Sequence, residues 1–196
     1  METFIHETML NDVSLCDALI DYHTNNLEYK MDGSIGRGID TRIKKSTDVY
    51  IYAGNQNPTI QMYMQEILNS VKEYINKYDL TDMFDVAFKE NWNIQHYKPS
   101  EGFFGWHCER SCYNSNQRAL VFMTYLNDVT DGGETEFYWQ KVKTKPVKGK
   151  TVIWPTDFTH LHRGISSPTQ HKYIATGWIG FFEAVDFAKY YKIIKK

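Results

Sequence analysis

The spacing of apolar positions changes period near residue 91, and that change divides the chain. Ahead of it the repeat is helical. Asn11 or Asp12 caps a first helix running to about His23, with Val13, Cys16, Leu19, Ile20 and His23 on one face. Asn57 and Pro58 open a longer helix, since asparagine suits the N-cap and proline the first turn. Ile60, Met64, Ile67, Leu68, Val71, Ile75 and Tyr78 then form one stripe over five turns, the pattern of a helix laid against a sheet. Around these helices, residues 3–6 read as a short opening strand and the glycine-rich 31–38 as a turn. Residues 44–51 lead into another short strand.

Beyond residue 91 the period becomes two. Trp92, Ile94 and His96 alternate with Asn93, Gln95 and Tyr97, and 118–126, 134–138, 141–147, 151–154 and 172–182 are further strand candidates. Many short strands joined by Gly, Pro, Asn and Asp turns indicate a sandwich or jelly roll. Lys141, Lys143, Lys145, Lys148 and Lys150 read as a lysine-protected edge hairpin rather than a dock for an acidic ligand. With no internal repeat and no linker, residues 1–196 are read as one domain. It comprises a mostly helical support region over 1–90, a β core over 91–182 and a basic tail over 183–196.

Composition narrows the class. An apolar share of 42% and an aromatic share of 15% in 196 residues give enough to bury and exclude a disordered chain. A net charge of -2 gives no general attraction to nucleic acid or to anionic lipid. No apolar run is long enough to span a membrane, and the start lacks a signal-peptide pattern, so the expectation is a soluble, cytoplasmic protein. The three cysteines are read as reduced thiols, because an odd number without framework spacing suits neither disulfides nor a structural zinc site built on Cys108, Cys112 and His107.

The chemistry gathers at Trp106-His107-Cys108-Glu109. Residues i and i+2 of a strand share a face, so His107 and Glu109 can aim an imidazole and a carboxylate at one point. Alone, such a triplet is common and means little. A second histidine segment, 159–164, carries His160 and His162, either of which could supply a third ligand. Two imidazoles and one carboxylate on one side of a metal form the facial triad of non-haem iron(II) oxygenases.

The blocks around this triplet carry a more specific pattern. Tyr97 is followed by Gly102-Phe103-Phe104-Gly105-Trp106-His107-x-Glu109. Then come Arg118 through Leu126-Asn127-Asp128, Gly132-Gly133-Glu134-Thr135-x-Phe137, Pro146-x-x-Gly149 and Ile153-Trp154-Pro155, and finally His162, Lys172 and Trp178. From about Asn91 to Phe181 the chain resembles the iron(II)/2-oxoglutarate dioxygenases, in particular their prolyl 4-hydroxylase-like branch. The resemblance implies an α+β, mainly β fold with a double-stranded β-helix (jelly-roll) core and N-terminal supporting helices. It also implies His107, Glu109 and His162 as metal ligands, the ten-residue offset to Lys172 selecting His162 over His160. Lys172 would hold the distal carboxylate of 2-oxoglutarate, with Tyr97 and Thr135 hydrogen-bonded to it. Tyr125 and Trp178 would wall the pocket with Trp106 beside it, and Arg163 would touch substrate or form a surface salt bridge. A Lys44-x-Ser46-x-Asp48 segment also recurs near the entrance of related enzymes, with no role assigned.

The implied activity couples oxidative decarboxylation of 2-oxoglutarate, with dioxygen, to hydroxylation of a C–H bond. Iron(II) is the metal and ascorbate a possible reductant. The expected substrate is a peptidyl residue, proline first; a free amino acid or other small molecule is the alternative. One position departs from the family pattern: Glu109 stands where aspartate is usual. A non-catalytic metal-binding or interaction module is therefore the competing reading of a different class.

Overall fold

The structure, a computed structural model, describes residues 2–81 and 85–181. Two helices, α1 (Ser14–Asn25) and α2 (Pro58–Lys77), pack on a sheet drawn from the whole chain. Its strands are β1 (His6–Met9), β2 (Lys30–Asp32), β4 (Thr47–Ile51), β5 (Val86–Phe88), β6 (Trp92–Tyr97), β8 (Arg118–Tyr125), β11 (Lys150–Pro155) and β13 (Lys172–Phe181). They run antiparallel in the order β1-β11-β8-β13-β6-β4-β2, with β5 also paired to β13. The opposing layer is smaller: β10 (Val142–Thr144), β9 (Thr135–Phe137) and β12 (His162–Gly164) in that order, beside the pair β3 (Lys44–Lys45) and β7 (Gly102–Phe103). Two antiparallel layers closing on one another make the jelly roll.

Strand alternation sorts the large sheet's side chains into two cores. Leu120 and Phe122 of β8, Ile153 of β11, and Ala175 and Ile179 of β13 face the helices. Val121, Met123 and Tyr125, Val152 and Trp154, and Ile174 face the smaller layer. The helix side is almost entirely apolar. Asn57 caps α2 by accepting the main-chain N–H groups of Thr59 and Ile60, and Ile60, Met64, Ile67 and Val71 are buried along it. Each such side chain contributes about 1.5–3 kcal/mol by leaving water. Tyr63 reaches through this layer to donate to Thr124 Oγ1 at 2.9 Å.

Several expectations change. The first 90 residues are not mainly helical, because β1, β2, β4 and β5 belong to the large sheet. Of these, β2 and β5 carry too few alternating residues to be seen in the sequence, whereas the expected strands over 3–6 and within 44–51 correspond to β1, in shifted position, and β4. The opening strand is His6–Met9 rather than residues 3–6, its position fixed by pairing with β11. Helix α1 begins after Val13 and buries Leu15 with Cys16, Leu19 and His23, leaving Val13 at the surface. The turn expected over 31–38 starts within β2. Of the lysine-rich stretch, only β10 is an edge: β11 is an interior strand, and Lys143, Lys148 and Lys150 pair with Glu136, Asp17 and Glu7. The tail 183–196 lies outside the described residues. Among those residues no helix is long and apolar enough to cross a membrane.

Gly177, central in β13, shows how tightly the helix-side core is filled. A Cβ there would collide with Trp92 Cβ and stand 2.8 Å from Phe122 Cζ. Gly177→Ala is expected to cost about 1–3 kcal/mol by overpacking, measured as a lower urea midpoint. A loss below about 0.5 kcal/mol would contradict this packing.

Candidate metal centre

The space between the two layers is where polar groups collect. His107 and His162 sit directly opposite one another, each donating its main-chain N–H to the other's carbonyl, at 3.0 and 2.9 Å. A directly opposed antiparallel pair sends both side chains to the same face. The imidazoles therefore meet, with ring centroids 4.2 Å apart. Phe103 stacks on His107 at 3.6 Å, while Phe137 and Trp154 pack around His162. Two residues beyond His107, the main-chain N–H of Glu109 donates to Thr156 O at 3.0 Å, which turns its carboxylate toward the rings.

Glu109 Oε1 lies 3.4 Å from Nε2 of His107 and 3.4 Å from Nε2 of His162. All three ligand atoms fall within 4.8 Å of one another, the only such cluster among the described residues. Ligands at right angles around an ion at about 2.1 Å stand about 3 Å apart, so the observed spacing suits one ion within reach of all three. Proton positions agree. Nδ1 of His107 lies 2.9 Å from Gly105 O, and Nδ1 of His162 lies 2.9 Å from His160 O. A carbonyl only accepts, so each Nδ1 carries the hydrogen and each neutral ring presents an Nε2 lone pair. Burial pushes the His162 imidazolium pKa down, which favours the neutral ring. Burial alone would raise the Glu109 carboxyl, but imidazoles carrying a proton on Nε2 hold it well below the usual carboxylate range, and a cation shared by the three would take the place of that proton. Two lone pairs and an anion facing one point form a donor set for a divalent cation.

Lys172 lies in the same inter-sheet space, 4% exposed, with its Nζ donating to Gly133 O at 3.2 Å and poised over the Tyr97 ring at 4.9 Å. Among the described residues no carboxylate lies within ion-pair distance of it. Beside the ammonium is Gly164, where a Cβ would come within 3.5 Å of Nζ, so the missing side chain leaves room there. Burial pushes this lysine down from 10.5 to about 8, against the pull of Glu134. A desolvated cation with one neutral partner suits an anionic ligand.

The other expected residues divide. Thr135 is buried, 2.9 Å from the Tyr125 hydroxyl and 3.5 Å from Met123 Sδ. Tyr125 is fully buried and ties β8 to β9 and β10 through Thr135 and Thr144, rather than offering an open wall. Tyr97 gives its ring to Lys172, but its hydroxyl donates to Gln95 Oε1 at 2.6 Å, which corrects the expectation of a free donor. Trp178 turns its indole N–H onto Glu109 Oε2 at 2.9 Å. Trp106 and Arg163 are each one residue from an imidazole and so point to the opposite face. There Arg163 pairs with Glu136 at 2.8 Å and covers the Trp106 ring at 4.5 Å. His160 lies in a 3-10 turn (Phe158–His160), donates Nε2–H to Thr3 O, and serves His162 only through its carbonyl.

Two groups noted in the sequence were given no role there. Arg118 fixes Glu109 by donating from Nη1 to its main-chain oxygen at 3.1 Å. Lys44 and Asp48 form a buried ion pair at 2.6 Å, joined by Ser46, with Lys44 5.8 Å from the Phe103 ring centroid. The period-two spacing of Lys44, Ser46 and Asp48 was a usable signal. Nothing in the spacing of Arg118 marks its partners.

The drop at Lys172 from 10.5 to about 8 costs the folded protein on the order of 3 kcal/mol at neutral pH. Lys172→Met is therefore expected to stabilise the ligand-free protein by about 1–3 kcal/mol in urea unfolding. A destabilisation beyond about 1 kcal/mol would show that the ammonium is held for structural reasons.

Comparison with known proteins agrees with this geometry. Residues 92–180 match the family model described as the 2OG-Fe(II) oxygenase superfamily. No curated protein matches the chain. Among solved structures, a Pseudomonas putida prolyl-4-hydroxylase is similar at a TM-score of 0.69 and 16% identity, over 91% of this chain and 93% of that one. The viral collagen prolyl hydroxylase from Paramecium bursaria Chlorella virus-1, in its 2OG complex, gives 0.66 and 19% over 92% and 97%. A Trichoplax adhaerens prolyl hydroxylase, in complex with a hypoxia inducible factor peptide fragment, gives 0.69 and 15% over 94% and 86%. At such identities these three speak for the fold. Residues 92–180 are therefore similar to the 2OG-Fe(II) oxygenase superfamily, and the jelly roll that carries them is the fold of these solved structures.

Proposed function

We propose that this protein is an iron(II)- and 2-oxoglutarate-dependent hydroxylase acting on a peptidyl residue, proline first. The observation that carries the reading is the pairing, in one inter-sheet space, of a His107–Glu109–His162 donor set with the buried ammonium of Lys172. The first suits iron(II); the second suits the distal carboxylate of 2-oxoglutarate. Bound there, metal and co-substrate would supply the oxidising power for C–H hydroxylation with dioxygen. The chain's own part is to hold and to exclude. The Nδ1–H bonds to the Gly105 and His160 carbonyls fix the orientation of both imidazoles and leave each Nε2 facing the ion site. Phe103, Phe137 and Trp154 wall the rings from water. Tyr97 is paired directly with Lys172 across β6 and β13, Thr135 stands on β9 of the opposing layer, and the two are read as the flanks of the carboxylate site.

The peptidyl substrate rests on fold likeness to structures named as prolyl hydroxylases, one of them with a peptide bound. The three free cysteines support a reducing, cytoplasmic setting.

Purified protein with iron(II), ascorbate and 2-oxoglutarate is expected to convert a proline-containing peptide to a product one oxygen heavier, with matching succinate, by mass spectrometry. His107→Ala should abolish both. A product only from free amino acids would overturn the peptidyl reading, and iron-independent succinate would overturn the metal assignment.

The pH dependence has a definite sign. The protonated ammonium binds a carboxylate, and Lys172 loses its proton near 8. Affinity for 2-oxoglutarate should be level below that pH and fall about tenfold per pH unit above it. Calorimetric titrations flat to pH 9.5 would remove Lys172 from the carboxylate site.

A further inference from the structure

Resting on that reading of the metal centre, we infer that Trp178 and Arg118 are positioning residues that make Glu109 a one-oxygen ligand. The two carboxylate oxygens have different surroundings. Oε1 faces both imidazoles, whereas Oε2 accepts the indole N–H of Trp178 at 2.9 Å and has Arg118 Nη1 at 3.8 Å. The guanidinium of Arg118 lies over the Trp178 ring, 3.6 Å from its centroid. It is held there by a fork to Glu90, with contacts of 2.6–3.1 Å, and its remaining nitrogen donates to the Glu109 main-chain oxygen. One unit therefore fixes both the backbone and the far oxygen of Glu109.

A β-bulge builds this unit. Between β8 and β13 the register runs Trp178↔Val121 and Ile179↔Leu120, then jumps to Gly180↔Arg118. The extra residue, Ala119, faces the helices together with its neighbour Leu120. Two consecutive residues on one side return Arg118 to the face that Trp178 occupies, where regular alternation would have sent it away. A bulge that re-aims one arginine onto one indole is a local device at the centre's edge.

The glutamate explains why such a device has a use. Its extra methylene adds a rotatable bond, and a carboxylate free to turn could place both oxygens on the ion. That would occupy a coordination position that the co-substrates need. With Oε2 committed to Trp178, only Oε1 is offered. An aspartate at position 109 would fall short of the indole.

The test uses Mn(II), which reports its bound waters through water-proton relaxation. Wild type is expected to show three waters on the ion. Trp178→Phe keeps the ring under Arg118 but lacks the N–H, and should show two. In a Glu109→Asp background, Trp178→Phe should change nothing further. Arg118→Gln, which uncovers the indole, should show the same loss of water as Trp178→Phe and serves if the latter does not fold. An unchanged water count in the folded single variants, or an equal loss in the Glu109→Asp background, would overturn the positioning role. Failure of wild type to bind Mn(II) at all would instead overturn the metal centre.

Discussion

The centre of the molecule depends on one backbone pairing, His107 with His162. Two mutual hydrogen bonds join a loop after β7 to a three-residue strand far along the chain, and they alone decide that both imidazoles face the same way. Such a contact closes a long loop, whose entropy must be offset elsewhere. Phe103 on one ring, and Phe137 with Trp154 on the other, contribute that packing. Once the pair is set, Glu109 needs only its bond to Thr156 to reach the same point.

Stability and chemistry occupy opposite faces of the same strands. The helix side of the large sheet carries the apolar residues of α2, β8 and β13 and holds the fold together. The other side accepts groups that a folding argument would avoid: an ionised Glu109, an ammonium with one carbonyl for company, and a buried Lys44–Asp48 pair. Buried charges of this kind add little net stability. Their persistence between two sheets is understandable if the helix-side core carries the fold and the inter-sheet space is kept for ligands. The bulge at Ala119, next to Arg118, follows the same division, since it breaks ladder regularity to place a charge.

Most of the fold was legible because periodicity of two or 3.6 survives wherever an element buries one face. The α2 stripe and the strands of β6, β8, β11 and β13 were all visible in that way, within a few residues at their ends. The strands β2 and β5 were not, and β1 was displaced by a few residues, for three or four residues cannot establish a period and their pairing is set by distant partners. At the site, i and i+2 spacing made His107 and Glu109 visible together, and the resemblance selected His162. The orientation of Trp106 and Arg163 could have been read from the same alternation, since a neighbour of an inward residue points outward. Arg118 and the loss of the Tyr97 hydroxyl to Gln95 depend on register and bulge, which local sequence does not encode.

The centre is three side chains sharing one ion, and equilibrium dialysis with Co(II) tests that most directly. Wild type and His160→Ala should each bind one ion per chain, because His160 offers the centre only its carbonyl. His162→Ala should bind none at the same concentration while remaining folded. Equal binding by wild type and His162→Ala, or loss of binding in His160→Ala alone, would contradict the account at its root.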